Sequence, residues 1–341
     1  MTGPHIAFVT EGSAELGLGH VSRCMALARA AAALGARASF VVPGDSHVAS
    51  VLRTVTAEVE LLARRLDPAG VLAALRRLSP DVVVVDSYAA TPELLAALRS
   101  VATVVAVDDL ADRPLPVDVV VNGSAAAGEL PYDRTSGTLF LLGARYALLD
   151  PGYATAPSRP ARDRVGRVLI CLGGGRQRDA IVPALAAVDR VLDGCVVDVA
   201  AGPFEAGWGA LDVCARGARN RVVVHHGRFG LRELMLGADV AIAGAGVTLY
   251  ELAATATPVV AVWMADNQRP NLEAFARVGA ALAGGAAGDP GLDGAIESAL
   301  RCLAADGALR AAMGGRGREL VDGQGAVRVA RAITRPVVSR R

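Results

Sequence analysis

A histidine stands where a glycine loop would turn into a helix: GLGHVSR, residues 17–23, comes shortly after the first apolar run, HIAFV (5–9). Gly17 and Gly19 let a backbone come close to a ligand. A helix opening near Gly19 offers N–H groups without intrahelical partners and the positive end of its dipole. Such an end binds phosphate well. An imidazole beside it changes charge near neutrality, which suits proton transfer. Arg23, one turn later, is a candidate substrate-binding cation. The plainer reading of His20 is a residue that only caps the loop.

Four other stretches could carry chemistry. LGGGRQRD (172–179) and AGAGVTLYE (243–251) each follow an apolar run and precede a helical one. The main chain of Gly173, Gly174, Gly244, Ala245 and Gly246 can cradle phosphate there. Thr248 adds a hydroxyl near the helix start, and Glu251 can accept hydrogen bonds from a ribose diol. The same Thr–Glu spacing is also that of a capping box, and the two roles can coexist. In DNQRPN (266–271), Asn267 and Gln268 can read sugar hydroxyls with their amides, or the segment is an ordinary helix cap. In VVVVDSY (82–88), Tyr88 can hold a water or a sugar hydroxyl, or simply pack. Asp108 and Asp109 of VDDL are too few for a metal site and read as loop-capping or hydrogen-bonding groups. His225 and His226 alternate along a strand and point to opposite faces, so they do not readily share a metal; their backbone near Gly227 could frame a base or only form a loop.

Composition narrows the chemistry. The 341 residues are 52% hydrophobic with a formal charge of +1, and no basic stripe marks a nucleic-acid partner. All 35 basic residues are arginine. That excludes a Walker lysine and a lysine Schiff base. The five cysteines form no CxxC pair and read as small core residues. With no signal peptide and no long apolar run, the expectation is a cytoplasmic protein without an integral membrane segment.

These residues need a frame. Continuous Val/Ile runs at 5–9, 38–42, 81–86, 103–109, 118–122 and 138–143, with a weaker one at 59–63, alternate with helical patterns at 19–34, 48–52, 68–78 and 92–100. Such runs are strands of a parallel sheet buried on both faces. PGYATAPSRPARDRVG (151–166) has three prolines and no periodicity, and reads as a linker. A second alternation follows, with strands at 167–175, 195–202, 221–227, 239–246 and 258–264 and a final helical stretch over about 292–333. The expected domains are 1–150, carrying His20, and 167–334, carrying the glycine loops, with a tail at 335–341. Ligands of such sheets bind at the carboxyl ends of the strands.

Taken in order, GLGHVSRCMALA, VVVVDSYA, AVDDLADR, LLGARYALLDPGY, LICLGGG, AIAGAGVTLYEL and ADNQ resemble the pseudaminic acid pathway hydrolase that removes UDP from UDP-2,4-diacetamido-2,4,6-trideoxy-β-L-altropyranose. The resemblance extends to spore-coat polysaccharide biosynthesis proteins and, more distantly, to the peptidoglycan N-acetylglucosaminyltransferase. It implies an α/β GT-B fold, two Rossmann-like domains with parallel sheets facing across a cleft, with UDP held mainly by the C-terminal one. His20 matches the family's catalytic histidine and Tyr88 its active-site tyrosine. Gly244, Ala245, Gly246, Thr248 and Glu251 match its nucleotide-binding stretch, and Asn267 and Gln268 its NQ pair. The implied reaction is attack of water on the anomeric carbon of a UDP-sugar with inversion, needing no metal or cofactor. GGGRQRD departs from the family's GGSD, and Leu18 stands where a smaller or polar residue is common. A glycosyltransferase using a nucleotide-sugar donor and an acceptor hydroxyl is the alternative. A non-catalytic sensor argues poorly with His20 and Tyr88, and a nicotinamide oxidoreductase lacks GxGxxG after the first strand.

Overall fold

The computed structural model describes residues 3–13, 16–44, 46–56, 58–63, 66–135, 137–157, 162–173, 178–201, 208–227 and 230–334. Among these, the chain forms two compact units, one of residues 3–13, 18–151 and 323–334, the other of 16–17 and 152–322.

The first unit runs β1 (His5–Thr10), α1 (Gly19–Ala32), β2 (Arg37–Pro43), α2 (Ser46–Leu52), β3 (Val59–Leu62), α3 (Pro68–Leu78), β4 (Val82–Asp86), α4 (Pro92–Leu98), β5 (Thr103–Val107), β6 (Val119–Asn122) and β7 (Leu139–Leu142). The sheet is parallel throughout, in the order β3-β2-β1-β4-β5-β6-β7. Every residue of β1 and β4 is buried, as an apolar run in a covered parallel sheet must be. Asp67 caps α3 by accepting from Gly70 N–H, and Thr91 caps α4 from Leu94 N–H, each followed by a proline in the first turn. Gly35, past the end of α1, has φ +86°, the left-handed conformation that glycine adopts cheaply.

The second unit continues with β8 (Arg167–Cys171), α5 (Arg178–Val191), β9 (Val196–Ala201), α6 (Trp208–Gly217), β10 (Arg221–His226), α7 (Arg232–Gly237), β11 (Val240–Gly244), α8 (Val247–Ala254), β12 (Val259–Trp263), α9 (Arg269–Arg277), β13 (Leu282–Ala286), α10 (Leu292–Ala305) and α11 (Gly307–Leu320). Its parallel sheet has the order β10-β9-β8-β11-β12-β13. Helices α5 and α10 close a core around Val168, Ile170, Val197, Val199, Ile242 and Val260.

Two expectations need correction. The last helix, α12 (Gly325–Thr334), does not belong to the second unit: it lies along α1 in the first. The reason is close packing. α1 and α12 pack together, and Gly325 at the start of α12 sits so close to Ala147 that a Cβ there would clash with its carbonyl oxygen. The described part of 151–166 is not a free linker either. Tyr153 is buried with its hydroxyl 3.8 Å from Met235 Sδ, Arg310 donates to the carbonyls of Arg162 and Asp163, and Asp239 accepts from Gly166 N–H. The tail at 335–341 lies outside the described residues. No helix among them is long and apolar enough to cross a membrane.

Candidate active site

Each sheet reverses its strand order once, between β1 and β4 and between β8 and β11. At such a point the connections leave in opposite directions and open a crevice at the carboxyl ends of the strands. The sequence-derived candidates gather at these two points.

In the first unit, β1 leads toward the loop before α1, and β4 ends at Asp86. His20 is the second residue of α1 and is buried. Its Nδ1 lies 2.6 Å from Asp86 Oδ1. With the proton on Nδ1 the ring donates to the carboxylate, and Nε2 is left to take or give a proton. Arg23 reaches the same carboxylate twice, Nε to Oδ2 at 3.1 Å and Nη2 to Oδ1 at 2.8 Å. Its Nη1 donates to both oxygens of Asp109, each at 2.8 Å. Asp109 also accepts from the Tyr88 hydroxyl at 3.0 Å. Tyr88 closes the ring by standing nearly perpendicular to His20.

The electrostatics follow from this pairing. Burial of Asp86 disfavours its charge, but Arg23 and His20 outweigh it and hold the carboxyl below the usual carboxylate range. Burial likewise opposes the charge of Arg23, and Asp109 and Asp86 more than restore it. Burial and the neighbouring Asp109 charge push the Tyr88 phenol above its ordinary value, so Tyr88 stays a neutral hydrogen-bond donor. Cys24, buried below Asp86, is pushed up by burial and by that charge, and remains a thiol.

The glycines have distinct jobs. Gly17 has φ +72°, a conformation that a side chain would strain. A Cβ on Gly19 would meet nothing within 4 Å, so open space lies over the start of α1. Asp108 is the loop cap expected of this segment: its Oδ2 accepts from Ala111 N–H and from the Tyr132 hydroxyl, both at 2.8 Å. Asp109 is not a cap. Its partner lies 86 residues away in sequence, and no local spacing could have announced it. Sequence reasoning also passed over Glu11, which is buried at the end of β1 and accepts from the Ser87 hydroxyl.

In the second unit, Gly173 follows β8 with φ +115°, while Gly174 lies outside the described residues, as does Arg176 of the departing GGGRQRD loop. Gly244 ends β11, and a Cβ there would come within 2.8 Å of the Leu172 carbonyl, so the ends of β8 and β11 are in close approach. Ala245 is buried, and Gly246 is the N-cap of α8, with no side-chain cap. Thr248 is therefore inside the helix, and the capping-box alternative for Thr248 with Glu251 falls away. Leu249 N–H already donates to the Gly246 carbonyl at 3.1 Å, so the helix opening leaves the N–H groups of Val247 and Thr248 for a ligand or solvent. Glu251 is close enough to the end of β8 for its charge to act on Cys171. Asn267 and Gln268 lie on a short 3-10 turn, Asp266–Gln268, after β12, with no side-chain cap. Gln268 Oε1 accepts from Met264 N–H at 2.9 Å, and its Nε2 is 3.2 Å from where a Cβ on Gly246 would stand. The amide thus lies beside the loop opening α8. His225 and His226 do face opposite ways, toward Asp198 of β9 and Asp212 of α6. Among the described residues no group of three or more His, Cys, Asp or Glu side chains is placed to hold a metal ion.

No family model matches the chain. It is 24% identical to the spore coat polysaccharide biosynthesis protein SpsG of Bacillus subtilis over 335 residues, 95% of this chain and 96% of that one. It is 23% identical over 282 residues to an uncharacterised protein of Methanocaldococcus jannaschii, covering 77% of this chain but only 56% of that longer one. Among solved structures, MurG of Acinetobacter baumannii superposes with a TM-score of 0.66 at 18% identity, covering 97% of this chain and 99% of that one. The calicheamicin glycosyltransferase CalG4 does so at 0.65 and 18% identity, covering 99% and 100%. A Streptomyces glycosyltransferase, SsfS6, solved with thymidine diphosphate, reaches 0.61 at 14% identity, covering 97% and 99%. The chain has the GT-B fold, two parallel-sheet α/β domains.

Proposed function

We propose that the chain is a glycosyltransferase that uses a nucleotide-sugar donor in a polysaccharide or natural-product pathway. The observation that carries the reading is His20 held through Nδ1 on buried Asp86, 2.6 Å away, at the strand-order reversal of the first sheet. A carboxylate that fixes one ring nitrogen leaves the other as a general base of defined direction. Nε2 removes the proton of an acceptor hydroxyl, the acceptor oxygen bonds to the anomeric carbon, and the bond from that carbon to the diphosphate oxygen breaks. The electron pair leaves with the nucleoside diphosphate. Inversion follows from attack opposite the leaving group. Ala245 N–H is spent on the Val262 carbonyl, so the main-chain donors for the diphosphate come from Gly246 and the first residues of α8, Val247 and Thr248, with Glu251, Asn267 and Gln268 as polar neighbours. UDP is the nucleotide suggested by the ordered motifs, and the likeness to SpsG supports a polysaccharide role.

A second reading rests on the same motifs: water replaces the acceptor, and the enzyme is a hydrolase of a UDP-amino or UDP-deoxy sugar. One experiment separates the two. The full chain is incubated with UDP- and TDP-sugars in ¹⁸O-water, with and without saccharide and lipid acceptors, beside His20→Ala. Nucleotide release that needs an acceptor supports transfer. Release without one, with ¹⁸O on the sugar, supports hydrolysis. Neither binding nor release, or wild-type activity in His20→Ala, overturns both.

A further inference from the structure

Arg23 reads from the sequence as a cation for the substrate, yet its guanidinium is already committed. Nε and Nη2 donate to Asp86, Nη1 spans both oxygens of Asp109, and Nη2 also lies 3.0 Å from His20 Nδ1. The side chain is 15% exposed. With four of its five N–H donors on two carboxylates, the guanidinium has little left for a phosphate.

We propose that Arg23 and Asp109 are positioning residues for the base, acting on His20 through Asp86 and Tyr88; this rests on His20 having the role given above. The geometry is a closed circuit: His20 to Asp86, Asp86 to Arg23, Arg23 to Asp109, Asp109 to Tyr88, and the Tyr88 ring back against His20. Its members come from the start of α1, the end of β4 and the loop after β5, so the circuit ties three elements at the carboxyl edge of one sheet.

The charges have a purpose as well. Around the ring of His20 stand Asp86 from β4, Arg23 and the thiol of Cys24 from α1, the phenol of Tyr88 and Asp109 after β5. Two carboxylates against one guanidinium leave one negative charge in excess. That excess is cancelled when His20 takes a proton, which is the charge state the base reaches as the acceptor attacks. Without Asp109 the protonated ring would face Arg23 with only one carboxylate to share. Without Arg23 it would face two carboxylates with no competing cation. The two deletions therefore push the imidazole in opposite directions, which loss of a mere structural strut would not do.

The test needs no substrate. Ring carbon–proton resonances of the five histidines are followed against pH in the full chain, with His20→Gln identifying the His20 signal. In Asp109→Asn the midpoint of that signal should fall by about one pH unit, and in Arg23→Gln it should rise by about as much. Arg23→Lys, which keeps the charge if Arg23→Gln fails to fold, should leave the midpoint near wild type. Where turnover is measurable, Asp109→Asn and Arg23→Lys should lower kcat roughly tenfold with the donor KM unchanged. Midpoints unmoved in Asp109→Asn, or moved the same way in both charge deletions, overturn the proposal. So does a raised donor KM with normal kcat in Arg23→Lys, which would return Arg23 to the substrate. Failure of the base role itself shows separately, as wild-type turnover in His20→Gln.

Discussion

The rings of His20 and Tyr88 stand 83° apart with their centroids 4.6 Å from one another, while the Tyr88 hydroxyl points away to Asp109. The tyrosine thus meets the histidine with its ring and not with its oxygen. Tyr88→Phe should keep the ring and hold kcat within about threefold of wild type, whereas Tyr88→Ala should cost about tenfold, since an edge-on aromatic pair is worth about 0.5–1.5 kcal/mol. Steady-state kinetics of the two variants check this; equal losses would mean that the hydroxyl, and not the ring, carries the effect.

Asp86→Asn removes the acceptor that selects the Nδ1–H tautomer. The expected loss in kcat is on the order of 10³-fold or more, as for other buried carboxylate–histidine pairs. Arg23 keeps Asp109 as a partner, so the stability cost should be moderate, about 1–3 kcal/mol by urea unfolding. A variant with normal kcat would remove Asp86 from the proton-transfer machinery.

Glycine substitutions should separate binding from folding. Gly19→Ala meets open space and sits in a helix, so stability should change by less than about 1 kcal/mol. If a ligand lies over the start of α1, its KM should nevertheless rise. Gly244→Ala is the converse case, because its Cβ would press on the Leu172 carbonyl; a loss of about 1–3 kcal/mol is expected. Thermal melts with and without UDP measure both.

Mild acid should weaken the first unit through His5. Arg37 Nη2 donates to His5 Nδ1 at 2.9 Å, so Nε2 carries the proton and donates to Ser39 Oγ at 2.8 Å. Burial, reinforced by Arg37 and opposed by Glu58, holds this imidazole below its ordinary value of 6.5. A depressed value means that the unfolded chain takes up a proton which the folded chain refuses. The contribution is therefore complete above pH 6.5 and is lost as pH falls through the folded value. Asp86, also depressed, contributes in the same direction but only below its ordinary 3.8. Urea midpoints should fall below pH 6.5 in wild type, and His5→Asn should flatten that slope. A slope unchanged in His5→Asn would assign the effect to another group.

The alternation of strands and helices was legible because strands buried on both faces have apolar interiors, as β11 does throughout and β1 and β4 do apart from His5, Thr10 and Asp86 at their ends. β13 was missed because LAGGA, with two glycines, looks like a loop; only pairing with β12 makes it a strand. α6, a ten-residue helix, carries no signal strong enough to stand apart from its surroundings. The assignment of α12 to the first unit rests on tertiary packing, which helical periodicity does not encode. The site divides in the same way. The glycine–histidine turn was readable because its chemistry is local. The tie between Arg23 and Asp109 was not, because it joins positions that only the fold brings together.

The return of α12 to the first unit has a consequence for synthesis. As the chain leaves the ribosome, residues 152–322 emerge before residues 325–334. The unit that begins first is finished last, and α1 must wait for its neighbour. The interval in which a chaperone or a protease can act on the nascent protein is set by the translation time of the whole second unit.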